Sequence, residues 1–271
     1  MDKRFFHLFN LTEEESIALL DTPQHLLAED DSRYVAASHL VNFPTQRSID
    51  ALIRAVKNTD PSLDNRIVRR KSVESLGRLQ ARQALPAIRM CLADDDCYTV
   101  ENAVWAIGEI GTEDTDILEE VAQLLQKPGQ IYRVIIHTLA KLDYKPALDR
   151  ICQFTDAEDA PTASAAIATL CRFTGDYTVI DKVIGFLQHT DRNARRAAIQ
   201  DLIDASYYPA IPQIARCAVS VVFRLRAIRI LADTGVAEGK IAFEAIQPSL
   251  EQMLRDRPQD LDLVHDYDRP P

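Results

Sequence analysis

The sequence predicts an all-α fold, a right-handed solenoid of about seven stacked HEAT-like helix pairs. Three observations carry this. Leu40, Leu76, Ile107, Leu139, Leu170, Leu202 and Leu231 hold the same place in seven successive copies of about 31 residues, with steps of 36, 31, 32, 31, 32 and 29. A repeat of this period is one supersecondary unit that cannot bury its apolar face alone, so copies must stack. Only eight glycines occur in 271 residues, which disfavours a turn-rich β fold. With 46% hydrophobic and 27% charged residues the chain has the composition of a globular protein rather than a disordered one.

Residues 1–30 read as an N-terminal cap. Thr12 and Glu15 have the spacing of a capping box ahead of a short helix ending near Leu20. Phe5, Phe6, Leu8 and Phe9 are placed to seal an open end of the stack. The solenoid proper is expected over 31–255. Each copy opens with a first helix carrying small or apolar residues just before its anchor: Ala36 and Ala37, Ser72 and Val73, Ala103 and Val104, Ile135 and Ile136, Ala166 and Ile167, Ala198 and Ile199, Ala227 and Ile228. Small residues one turn before the anchor share its face and let neighbouring helices approach closely. The second helices read as SIDALIRAV, ALPAIRMCL, DILEEVAQLL, ALDRICQF, VIDKVIGFL and AIPQIARCA. Pro86 and Pro212 fall in their first turns, where a missing N–H costs little. Pro248 bends or splits a final segment, and 256–271 is an acidic, proline-containing tail without periodicity.

Seven residues before the anchor stand Arg33, Arg69, Arg195 and Arg224, a column expected to pair with acids of the adjacent copy. The central copies replace it with Val100, Tyr132 and Ala163, through drift or because the middle of the surface is shaped for a ligand.

The formal net charge of -10 argues against a primary role on nucleic acid or anionic membrane. The N-terminus, MDKRFFHLFNLTEEES, turns acidic where a signal peptide needs an apolar core, and no apolar run reaches the length of a membrane span. Five cysteines without CxxC spacing read as reduced core residues, and the whole suits a soluble, cytoplasmic protein. No P-loop, GxGxxG, GxSxG or HExxH is present, and the six histidines are scattered, so neither a metal nor a permanently bound cofactor is expected.

The densest run of unusual residues lies between Asp94 and Gly111. Asp94, Asp95 and Asp96 precede a helix, where acids favour its dipole. Within that helix Glu101 and the sole tryptophan, Trp105, share a face, as do Tyr98 and Asn102. Aromatic, carboxylate and amide together could grip a flat, nitrogen-bearing ligand. Equally, Trp105 fills core between copies and Glu101 makes an inter-repeat ion pair. In the next copy Tyr132, Arg133, His137 and Lys141 form either an anion clamp or a solvated edge. Second helices of such solenoids usually line the concave side, and Arg54, Arg89, Arg150 and Arg216 recur along them. They suit carboxylates of a ligand or partner, or simply face water.

These residues carry a resemblance. Repeats of this length with Arg-x-x-Ala-Ala-x-x-Leu-like first helices resemble the HEAT-like repeats of phycobilin lyases. The run Tyr98 to Ile110, YTVENAVWAIGEI, looks like the E-type subunit of the E/F lyases. The stretches Arg33 to Pro44, Tyr132 to Lys141 and Leu263 to Pro271 look similar to phycoerythrin-branch members. The resemblance implies a lyase that joins an open-chain tetrapyrrole, phycoerythrobilin or phycocyanobilin, to a cysteine of a phycobiliprotein α subunit. For phycoerythrobilin, isomerisation to phycourobilin can accompany attachment. It further implies phycobilisome assembly in the cytoplasm and no membrane insertion. Phycoerythrin-branch members run past this length, which implies a truncated form. Phycocyanin-branch E subunits are nearer it but act with an F-type partner subunit. A non-enzymatic HEAT-repeat scaffold or chaperone for phycobiliproteins is the remaining reading. On this resemblance Glu101 or Asp95 would protonate the bilin, Arg133, then Arg89 and Arg150, would pair with its propionates, and Tyr98, Trp105 and Tyr132 would pack on its rings, with Asn102 and His137 beside them.

Overall fold

A computed structural model describes residues 11–249 and 251, and its regular secondary structure over those residues is entirely helical. Phe5, Phe6, Leu8, Phe9 and the 256–271 tail lie outside the described residues. The chain divides into two compact units between Ala147 and Leu148, a boundary inside the fourth copy of the repeat.

The first unit contains α1 (Glu13–Asp21), α2 (Arg33–His39), α3 (Gln46–Lys57), α4 (Leu63–Arg78), α5 (Leu85–Met90), α6 (Cys97–Ile110), α7 (Thr115–Gln123) and α8 (Tyr132–Lys141). First helices of successive copies lie side by side: α4 packs on α2 and α6, and α6 on α8. The second unit contains α9 (Leu148–Cys152), α10 (Ala160–Thr174), α11 (Asp181–Phe186), α12 (Arg192–Asp204), α13 (Ile211–Arg216) and α14 (Val221–Ala237). Here α10 packs on α12 and α12 on α14, around a core that includes Ile167, Cys171, Val183, Leu202, Ile214 and Leu231.

Local chemistry explains where the helices start. The capping box at α1 forms, with Glu15 N donating to Thr12 Oγ1 at 3.2 Å and Thr12 N donating to Glu15 Oε2 at 2.8 Å. Ser32, Thr45, Ser62, Asp96, Asp114, Asp159, Asp191 and Ser220 each accept an amide of the first turn with the side chain, satisfying donors that have no partner within the helix. Pro86 and Pro212 sit in first turns as expected. In contrast Ile131, the residue before α8, offers no side-chain cap.

Six of the seven anchors are buried to within 1% of full occlusion. The exception is Leu170, which stays partly exposed while its neighbours Ile167 and Cys171 are buried. Helix α10 is built of small residues, and Ala163, Ser164, Ala165, Ala166 and Ala168 are all occluded. Neighbours therefore close over most of its girth, and Cys171, beside Leu170, is fully occluded. Full burial of each leucine or isoleucine anchor contributes about 1.5–3 kcal/mol.

The arginine column needs a correction. Its members chiefly donate to backbone carbonyls near helix ends rather than to acids. Arg33 Nε donates to Leu20 O at 3.0 Å, Arg69 Nε to Val56 O at 2.7 Å and Arg224 Nη1 to Ala215 O at 2.7 Å. Each acceptor is the next-to-last residue of a helix, where carbonyls lack an intrahelical partner and a cation is favoured by the dipole. Arg195 donates instead to loop carbonyls beyond helix ends, His189 O, Thr190 O and Ala218 O. Arg69 also pairs with an acid of the adjacent copy, Asp94, as expected. Arg33, Arg69 and Arg224 thus each cap the C-terminal turn of a helix.

Among the described residues no helix is long and apolar enough to cross a membrane.

Candidate functional site

Helix α6 presents the partly exposed strip Tyr98, Glu101, Asn102, Trp105 and Glu109. The strip is anchored at its start. Asp96 caps α6 through Thr99 N at 3.0 Å and takes Thr99 Oγ1 at 2.6 Å, and its carboxylate receives Arg70 of α4 bidentately at 2.6 and 2.5 Å. Burial pushes the Asp96 carboxyl up, but the Arg70 guanidinium and the Thr99 donors outweigh it and hold it below the usual range. The same guanidinium stands 4.9 Å over the Tyr98 ring. Asn102 is turned to its own helix, donating Nδ2 to Tyr98 O at 2.7 Å.

Glu101 differs from the acids around it. Asp94 and Asp96 are held by Arg69 and Arg70, and Glu109 by Lys141 Nζ at 2.8 Å. Glu101 is partly buried, has no hydrogen bond or ion pair among the described residues, and its carboxyl is pushed above the usual range by desolvation alone. The inter-repeat ion pair that the sequence offered for it is therefore not formed. Asp95, the other acid considered, is exposed in the turn before α6.

Trp105 is seated against α4. A Cβ built on Gly77 would stand 2.9 Å from its Cζ3 and 2.9 Å from Ala106 Cα, so the two helices meet at van der Waals contact there. On the other side Thr138 of α8 donates to Val104 O at 3.1 Å and faces Gly108. Near the opposite ends of α4 and α6 a pocket of about 620 Å³ opens, with Asp60, Arg66, Met90, Asp95 and Cys97 among its walls.

Arg133 and His137 lie partly buried on α8. The Glu109–Lys141 pair spans 32 residues, and the same offset sets Arg133 level with Glu101 and His137 level with Trp105. Three rows of one face follow: Arg70, Glu74 and Arg78 on α4; Glu101, Trp105 and Glu109 on α6; Arg133, His137 and Lys141 on α8. The acidic row with the indole is flanked by two rows rich in cations. Aligning the copies by anchor would have exposed this pattern in the sequence, whereas reading each copy alone hides it.

The other expected residues are not part of these three rows. Tyr132 opens α8 and donates its hydroxyl to Lys127 O at 2.9 Å. Arg89 of α5 is engaged bidentately by Glu120 of α7 at 2.9 and 2.6 Å, and Arg54 by Asp21, so an incoming carboxylate would compete with an existing partner at each. Arg150 lies on α9, in the second unit. All five cysteines are unbridged, and burial pushes the Cys91, Cys171 and Cys217 thiols up to about 11, far from the thiolate form.

A sequence profile of HEAT repeats matches residues 24–96 and 62–140. The α subunit of phycocyanobilin lyase from Synechocystis is 30% identical over 83% of this chain and 89% of its own length. The chain belongs to the HEAT-repeat phycobilin lyase family. The uncharacterized phycocyanin operon protein Y of Pseudanabaena tenuis is 61% identical over the whole chain, which covers 64% of that relative. The bilin biosynthesis protein CpeY of Synechococcus is 30% identical over 90% of the chain, covering 58% of that relative. The chain therefore spans about three fifths of these two longer lyase-family members. In structure it is similar to the complex of CpcE and CpcF of phycocyanin lyase from Nostoc, with a TM-score of 0.73, 25% identity and coverage of 90% of this chain and 94% of the matched one.

Proposed function

We propose that this chain attaches an open-chain tetrapyrrole to a cysteine of a phycobiliprotein α subunit, with phycoerythrobilin as the bilin and the α6 face as its platform. The observation that carries the reading is Glu101: a partly buried acid without a partner among the described residues, one turn from the sole tryptophan of the chain. Desolvation keeps such a carboxyl protonated to higher pH, as a proton donor requires. The pyrrole nitrogens of a bilin are the matching acceptors, and the Trp105 and Tyr98 rings are surfaces on which its flat rings stack. Arg133 and His137, level with this pair on α8, suit the propionates.

In the reaction the acceptor cysteine's sulfur adds across the ethylidene double bond of the bilin A ring. One carbon–sulfur bond forms, the π bond is consumed, and the thiol proton is recovered on carbon. Glu101 lends a proton to the conjugated system, raising its electrophilicity, and regains one from the thiol. No oxidant is involved, and no nucleophile from this chain is needed. The platform holds the bilin extended and offers one face to one cysteine, turning a bimolecular encounter into an oriented one.

The test is direct. Purified protein is mixed with phycoerythrobilin and followed by absorbance, then given an apo phycobiliprotein α subunit and the same subunit with its acceptor cysteine changed to alanine. Spectral change, followed by covalent transfer only to the intact acceptor, is expected. No spectral change and no co-elution would refute the reading. Product spectra report whether phycourobilin is formed. The likeness to the CpcE–CpcF complex favours a second reading, in which an F-type subunit joins for phycocyanobilin attachment. Bilin binding without transfer, restored by adding that subunit, would select it. Tight binding of the phycobiliprotein without bilin uptake would select a scaffold instead.

A further inference from the structure

We propose that Gly77 is a positioning residue for the bilin: the space left by its missing side chain fixes the depth of the Trp105 indole, and with it the distance from a stacked ring to Glu101. The proposal rests on the bilin reading above.

Gly77 is buried inside α4 at an ordinary helical conformation, so no backbone strain calls for glycine there. Glycine also weakens a helix interior. What its absent side chain supplies is room. A Cβ would lie 2.9 Å from Ala106 Cα, 2.9 Å from Ala106 Cβ and 2.9 Å from Trp105 Cζ3, closer than real methyl groups come. One of those atoms is backbone and cannot swing away, so any side chain at this position must push α6 and its indole off α4.

Across the copies the residue after the anchor is Val41, Gly77, Gly108, Ala140, Cys171, Ile203 and Ala232. Glycine occurs there only in α4 and in α6 itself. The second differs in what it faces. A Cβ on Gly108 would meet only the Thr138 side chain, with Oγ1 at 3.0 Å and Cγ2 at 3.3 Å, and that side chain can rotate. Gly77 alone touches the indole. Packing of α6 is therefore a function of both glycines, and placement of Trp105 a function of one.

Trp105 is the single tryptophan, so intrinsic fluorescence reports on this seat without interference. Gly77→Ala is expected to shift the emission and to weaken quenching by phycoerythrobilin, raising the bilin Kd roughly tenfold or more. Gly108→Ala should lower the melting temperature yet leave emission and Kd at wild-type values. Ala106→Gly removes the opposing methyl instead of adding one. It loosens the same seat without overpacking, and should shift the emission and raise Kd even if Gly77→Ala fails to fold. Wild-type emission and Kd in Gly77→Ala, or in Ala106→Gly where the first does not fold, would overturn the role of Gly77. So would an equal loss of affinity in Gly108→Ala. Wild-type protein whose Trp105 emission ignores the bilin would overturn the bilin reading, and this proposal with it.

Discussion

Glu101 shows how one carboxyl can be placed for proton transfer by what surrounds it. The nearby acids Asp94, Asp96 and Glu109 are paired, and among the described residues it is not. A raised carboxyl binds its proton more tightly in the folded chain than in the unfolded one. Its contribution to stability is therefore fully present below the ordinary value of 4.5 and is lost as pH rises through the folded value. Glu101→Gln should accordingly melt above wild type at pH 7 and converge with it below pH 4.5, by calorimetry. The same substitution should slow bilin transfer by roughly 10²–10⁴-fold. In the wild type the rate should decline as pH rises through the Glu101 titration, and this decline should be absent in the variant. A Glu101→Gln protein with wild-type transfer and an unchanged pH profile would remove the residue from the mechanism. The identity and helix-face placement of Glu101, Trp105, Tyr98 and Asn102 were legible from i,i+4 spacing. The isolation of Glu101 was not, because spacing lists possible partners and only coordinates show which pairs form.

At the scale of elements, helix ends carry the lesson. Serine, threonine and aspartate stand before most of the longer helices, and these caps are local contacts that the sequence itself encodes. The C-terminal ends are closed differently, by arginines that reach back nine or thirteen residues to a preceding helix. A side chain with a fixed planar fork can serve a carbonyl or a carboxylate equally well, so the column alone did not reveal its acceptors. The two cases differ in strength. Arg69 joins Val56 O, Cys91 Sγ and the Asp94 carboxylate while nearly buried, so Arg69→Ala leaves Asp94 without its cation and should cost about 3–5 kcal/mol. Arg33→Ala loses the bond to Leu20 O and should cost less, about 1.5–3 kcal/mol. Urea unfolding at neutral pH measures both, and a reversed order would contradict the capping assignment.

For the molecule as a whole, stability is distributed along the copies, each supported by its neighbours. Leu76→Ala and Leu202→Ala, at fully occluded anchors in the two units, should each cost about 2–5 kcal/mol. Leu170→Ala, at the partly exposed anchor, should cost less than either. Hydrogen exchange should show lost protection concentrated in the copies flanking each site. A uniform loss over both units would argue for one cooperative core instead.

The sequence by itself determined the period, the helical class, the capping box of α1 and the family, because these depend on local spacing and on long runs of matched residues. It also named the α6 face as the place to look. Tertiary structure decided the rest. It gave the arginine column backbone carbonyls as acceptors, put Arg89 in the grip of Glu120, left the Leu170 anchor partly exposed, and left Glu101 without a partner among the described residues. Each of these outcomes is a competition between several partners at similar sequence distance. Such competitions are settled by angstrom-scale packing, as at Gly77, where the lack of one methyl group lets an indole rest against a neighbouring helix.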